Sequence, residues 1–107
     1  MLETNQNQFF ESALFQSLGK DYKIDAIQFV SGGCINNAVR LDTSEGMFFL
    51  KWNQTQPISF FEAEAKGLDL LAKTNAVITP EVLGVGIAQG QPFLLLEYIE
   101  SYYPVKD

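Results

Sequence analysis

Three stretches of this sequence put polar or small residues where a plain apolar framework would not, and each suggests a chemical use. Ser31-Gly32-Gly33-Cys34-Ile35-Asn36-Asn37 joins two apolar runs, and its small residues would let backbone N–H groups approach and cradle the oxygens of a bound phosphate. Paired glycines between strands also serve as a plain hairpin turn, because glycine adopts positive φ without steric cost. Lys51 closes the apolar run Met47-Phe48-Phe49-Leu50, where its ammonium either snorkels to water or is held as a charge for a ligand. Glu64 lies three residues after Phe61 and four before Leu68. On a helix it therefore shares the apolar face marked by Phe61, Ala65, Leu68 and Ala72, while Glu62, Lys66, Asp69 and Lys73 take the other face. An unpartnered carboxylate on that face is costly enough to require a cation, and Lys51 is the obvious one.

Such a pair could simply fix a helix against a sheet, or it could be the lysine and helix glutamate with which kinases hold ATP phosphates. A later segment bears on the choice. Phe93-Leu94-Leu95-Leu96-Glu97-Tyr98-Ile99 is either an ordinary core strand with a polar end or a strand running out into a hinge whose backbone binds adenine. Loop, lysine, buried glutamate and strand come in the order a kinase small lobe requires, which favours the nucleotide reading.

Periodicity and turn chemistry predict the scaffold around these residues. Phe10, Leu14 and Leu18, with Phe9 and Ala13, predict a first helix ending near Leu18, where Gly19 supplies the left-handed cap. Lys23 to Val30 predicts a strand leading into the glycine loop. Ala38–Leu41 and Met47–Trp52 flank the polar connection Asp42 to Gly46 and predict a hairpin. Ser59-Phe60-Phe61-Glu62 has the spacing of a capping box, predicting a helix to about Lys73. Val82 to Ile87 should pair with Phe93 to Leu96, a run apolar enough for burial on both faces, across the turn Gln89-Gly90-Gln91-Pro92. The expected fold is α+β, a kinase-like small lobe spanning residues 1–107 as one domain. It comprises an antiparallel five-stranded sheet with one packed helix and an extra N-terminal helix.

Composition narrows the rest. The 107 residues are 47% apolar and 13% aromatic, as expected of one packed domain. A net charge of −6 opposes binding to nucleic acid. MLETNQNQFF lacks the basic start and apolar run of a signal peptide, and no stretch approaches the roughly 20 apolar residues of a bilayer span, so no membrane partner and a cytoplasmic location are expected. Cys34 is the only cysteine and histidine is absent, which excludes an internal disulfide, a Cys/His metal site and histidine acid–base chemistry. Cys34 either fills space under its loop or is a thiol open to oxidation.

The words GGCINNAVRLDTSEGMFFLKWN, FFEAEAKGLDLL and FLLLEYIE, with PEVLGVG between them, resemble the fructosamine kinase family across nearly the whole chain. Aminoglycoside and choline kinases resemble it less. The resemblance implies that the backbone of Gly32, Gly33, Cys34, Ile35 and Asn36 covers the phosphates of ATP. It further implies that Lys51 contacts those phosphates, that Glu64 orients Lys51, and that Glu97 and Ile99 bond adenine with Leu96 behind the base. It also implies transfer of the γ-phosphate of ATP, with magnesium, to a sugar hydroxyl of a ketoamine, leading to protein deglycation. The family's histidine-containing catalytic loop and magnesium-holding aspartate have no counterpart in these 107 residues. The catalytic lobe is therefore expected to be absent and the isolated chain to be catalytically incomplete, with neither base nor magnesium ligands of its own. Ketoamine binding would then require the missing lobe. A non-catalytic nucleotide-binding or dimerising module, and the lobe of an aminoglycoside- or choline-type kinase, remain as alternatives. Apolar faces left without a second lobe should drive formation of a homo-oligomer. Sedimentation velocity at high concentration should show association, and a clean monomer would contradict this.

Overall fold

The structure, a computed structural model, describes residues 2–30, 37–74 and 78–99, with side chains from Gln6 onward. Helix α1 (Leu2–Leu18) ends at Gly19, whose φ of 81° and N–H bond to the Phe15 carbonyl form the left-handed cap. Strands β1 (Ile24–Phe29), β2 (Asn37–Thr43) and β3 (Gly46–Trp52) come next, then α2 (Ile58–Thr74), β4 (Val82–Ala88) and β5 (Gln91–Glu97). The five strands form an antiparallel sheet in the order β1-β2-β3-β5-β4.

Local chemistry accounts for both tight turns. Thr43 pairs with Gly46 across Ser44-Glu45, and the Thr43 hydroxyl donates to the Gly46 carbonyl while accepting from the Glu45 N–H. The β4–β5 turn is narrower than the sequence implied. Gln89 and Gly90 both have positive φ, the geometry that matches the twist of a two-residue hairpin, so Gln91 and Pro92 already belong to the strand.

Strand β5 is buried on both faces because a helix covers each side. Phe93 and Leu95 meet α1 through Phe9, Phe10 and Leu14, joined by Leu50 and Trp52. Phe9 and Phe10 sit 5.4 and 5.3 Å from the Trp52 ring. Leu94 and Leu96 face the other way, with Ala38, Phe49, Phe61 and Leu68. The N-terminal helix is thus packed against the sheet opposite α2, giving three layers. Burial of each such phenylalanine contributes roughly 2–3 kcal/mol.

Two local expectations are corrected in α2. The Phe60 N–H donates to the Pro57 carbonyl and the helix opens at Ile58, so Ser59 sits inside the first turn rather than capping it. Ala72 is exposed rather than part of the buried face. Every residue from Asp69 to Thr74 is exposed, with Leu70 and Leu71 at 59% and 47%, because the last turn has run past the sheet that buries Phe61 and Leu68.

Helix α1 approaches β4 closely over Gly84. A Cβ built there would lie 2.0 Å from the Ser17 hydroxyl oxygen and 2.5 Å from its Cβ, so only glycine fits without displacing the helix. The Ser17 hydroxyl is itself buried without a hydrogen-bond partner. Gly84→Ala should therefore destabilise the chain by about 1–3 kcal/mol. Ser17→Ala, which removes an unpaired hydroxyl and improves helix propensity, should stabilise it by about 1 kcal/mol. Thermal unfolding of the two variants should move in opposite directions; a shared direction would contradict the close approach.

Candidate functional site

Strand alternation places Phe49 and Lys51 of β3 on the side of the sheet that α2 covers. Lys51 stands between Ala38 of β2 and Leu94 of β5, both buried, so its stem crosses apolar ground before its ammonium emerges. Phe61 and Leu68 anchor α2 on that same side. Glu64, between them in the helix, is aimed at the sheet. The Lys51 Nζ donates to Glu64 Oε2 at 2.5 Å, and the two side chains are 17% and 32% exposed. Partial burial keeps the pair from full solvent screening.

Leu96 is buried and pairs with Phe49, one step along the same face from Lys51. Strand β5 ends at Glu97, and Tyr98 and Ile99 leave it half-buried. Glu97 has a structural task that sequence alone does not reveal. Its N–H donates to the Glu81 carbonyl at 2.9 Å, and its carboxylate accepts the Glu81 N–H at 2.8 Å, fastening the entry of β4 to the exit of β5. Gly32, Gly33, Cys34, Ile35 and Asn36 lie outside the described residues. The flanks of that segment are close together, since the Val30 N–H donates to the Ala38 carbonyl.

Arg40 and Asp42 complete this face and were not among the site residues expected from the sequence. Arg40 Nε and a terminal guanidinium nitrogen donate to the two Asp42 oxygens at 2.9 and 3.0 Å. Their i, i+2 spacing on one strand was the available signal. Asp42, and after it the Tyr98 hydroxyl, raise the pKa of Arg40 above its ordinary value. Among the described residues no group of three or more histidine, cysteine or acidic side chains is placed to hold a metal ion. A cavity of about 400 Å³ lined by Phe9, Phe29, Trp52 and several glutamines opens on the α1 side and includes neither Lys51 nor Glu64.

A five-stranded antiparallel sheet whose third strand presents a lysine to a glutamate of the packed helix has the architecture of a protein-kinase-like small lobe. The chain belongs to the fructosamine kinase family, whose sequence profile matches residues 6–106. A Synechocystis sp. protein named as a probable ketoamine kinase is 38% identical over 85 residues, covering 79% of this chain and 29% of the relative. A chloroplastic protein-ribulosamine 3-kinase of Oryza sativa subsp. indica is 40% identical over 83 residues, covering 77% and 24%. A crystal structure described as a fructosamine-3-kinase from Haemophilus somnus 129PT superposes with a TM-score of 0.73 at 35% identity, covering 85% of this chain and 31% of that one. The chain thus spans about a quarter to a third of the length of these relatives.

Lys51→Met leaves the Glu64 carboxylate facing apolar neighbours without its cation and should cost on the order of 1–2 kcal/mol. Lys51→Met combined with Glu64→Leu should recover most of that loss. Urea unfolding of both single variants and the double variant measures the coupling, and strictly additive effects would mean that the two charges are not energetically coupled.

Proposed function

We propose that this chain forms the ATP-gripping lobe of a kinase that phosphorylates ketoamines, the adducts left when a sugar has glycated an amine or a protein lysine. The observation that carries this reading is the half-buried Lys51–Glu64 pair on the face that also bears Leu96. In it, Glu64 holds the Lys51 ammonium at one point. Lys51 then neutralises charge on the nucleotide phosphates, the backbone of Gly32 to Asn36 covers them, the backbone of Glu97 and Ile99 bonds adenine, and Leu96 packs behind the base.

In the reaction proposed, a sugar hydroxyl oxygen attacks the γ-phosphorus of ATP, the bond from that phosphorus to the β-bridging oxygen breaks, ADP departs, and the hydroxyl proton passes to a base. Positioning and charge neutralisation supply most of the catalysis in such transfers, and Lys51 serves both. Base, magnesium ligands and ketoamine site belong to parts of the protein beyond these described residues. A cytoplasmic location goes with this reading, although the rice relative is designated chloroplastic. Among the described residues no helix is long and apolar enough to cross a membrane.

The test uses protein expressed from its own gene, ATP, and fructosyl-lysine or ribulosyl-lysine as acceptor, tracking phosphate incorporation. Transfer should occur and should fall about 10²–10³-fold in Lys51→Met, the scale of losing one preorganised charge contact. Transfer only to an aminoglycoside or to choline would replace the substrate class. ATP binding without any transfer would mark a nucleotide-binding module, and no ATP binding would overturn the reading.

A further inference from the structure

The residue between the two proposed adenine contacts is Tyr98, and its side chain is held from two strands away. On leaving β5 it folds back over β3, where its ring lies 6.4 Å from that of Phe49. The same ring meets the Arg40 guanidinium of β2 at 5.6 Å from its centroid. Register explains how strands that are not neighbours converge here. Arg40 pairs with Phe49 across β2–β3, and Phe49 pairs with Leu96 across β3–β5, so the three strands present adjacent side chains along one line, and Tyr98 follows Leu96 by two residues to pack against the same cluster. Asp42 grips the guanidinium with two hydrogen bonds, which removes the freedom of a long side chain that would otherwise swing. Glu97, on the other flank, is tied to Glu81 through both its N–H and its carboxylate.

We infer that Arg40 is a positioning residue for purine recognition: locked by Asp42, it clamps Tyr98 against Phe49 and so fixes the backbone of Glu97 and Ile99 where the base must bind. This rests on the nucleotide reading above. Arg40 does not touch phosphate in this scheme. Its charge is engaged by Asp42 and the Tyr98 ring, and Lys51 remains the cation for the triphosphate.

The experiment measures affinities for ATP, GTP and inorganic tripolyphosphate by calorimetry on protein expressed from its own gene. Arg40→Leu should weaken ATP roughly tenfold and erode the preference for ATP over GTP, while leaving tripolyphosphate unchanged. Tyr98→Leu should do the same, and the double variant should be no worse than either single one, because both break one clamp. Asp42→Asn, a milder change, should give an intermediate loss if Arg40→Leu fails to fold. Equal weakening of ATP and tripolyphosphate by Arg40→Leu, no change in either, or additive losses in the double variant would each overturn the inference. Lys51→Met separates the two claims: it should weaken ATP and tripolyphosphate together, and if it weakens neither, the nucleotide reading itself falls whatever Arg40 does.

Discussion

The contact between Lys51 and Glu64 is where the apolar logic of this chain is interrupted, and the surrounding structure is arranged so that the interruption is tolerable. Each charge alone would be costly on a face built from Phe49, Phe61, Leu94 and Leu96. Together, at 2.5 Å, they are compatible with it. A half-buried pair of this kind adds little net stability over two well-packed apolar residues. Its presence makes better sense as a held charge than as a fastening. For the pair to form, β3 must sit in register between β2 and β5, and α2 must be seated by Phe61 and Leu68 at one rotation about its axis.

The two faces of the sheet divide the work. The α1 side is dense with aromatic contacts among Phe9, Phe10, Trp52 and Phe93, and it is drawn in further by the glycine contact at Ser17. The α2 side has a smaller apolar cluster and bears Lys51, Glu64, Arg40 and Asp42. Stability supplied on one face allows the other to keep polar groups that a minimal core would exclude, the usual pattern when local rules are broken at a site.

Much of this was legible from residue pattern. Glu64 stood out because it broke a helical stripe, and Lys51 because it closed an apolar strand; both are deviations from a period, which is what sequence displays best. The double burial of β5 was readable from its unbroken apolar run of Phe93 to Leu96. The misses share a different cause. Ser59 has capping chemistry, but the chain was already turned into the helix by the bond from Phe60 to Pro57. Ala72 keeps the helical period, but period cannot say where the sheet beneath it stops. That α1 packs opposite α2, that β5 inserts between β3 and β4, and that Tyr98 reaches Arg40 are consequences of long-range pairing, which leaves no local trace.

Two cations on the α2 side of the sheet are already matched by carboxylates of the same face, Lys51 by Glu64 and Arg40 by Asp42. In a chain of net charge −6, an anionic ligand therefore gains little from long-range attraction and must be recognised at short range. That places the demand on geometry. A lysine fixed by a helix glutamate offers its remaining N–H donors along set directions, and a strand exit pinned on both flanks offers its backbone groups likewise. Preorganisation of this kind lets weak individual contacts act together, because the ordering cost has been met in folding rather than on binding. In the proposed reading the clamp at Tyr98 and the pair at Lys51 are thus two instances of one constraint: each uses an internal charge pair to remove freedom from a group that a ligand must find in place.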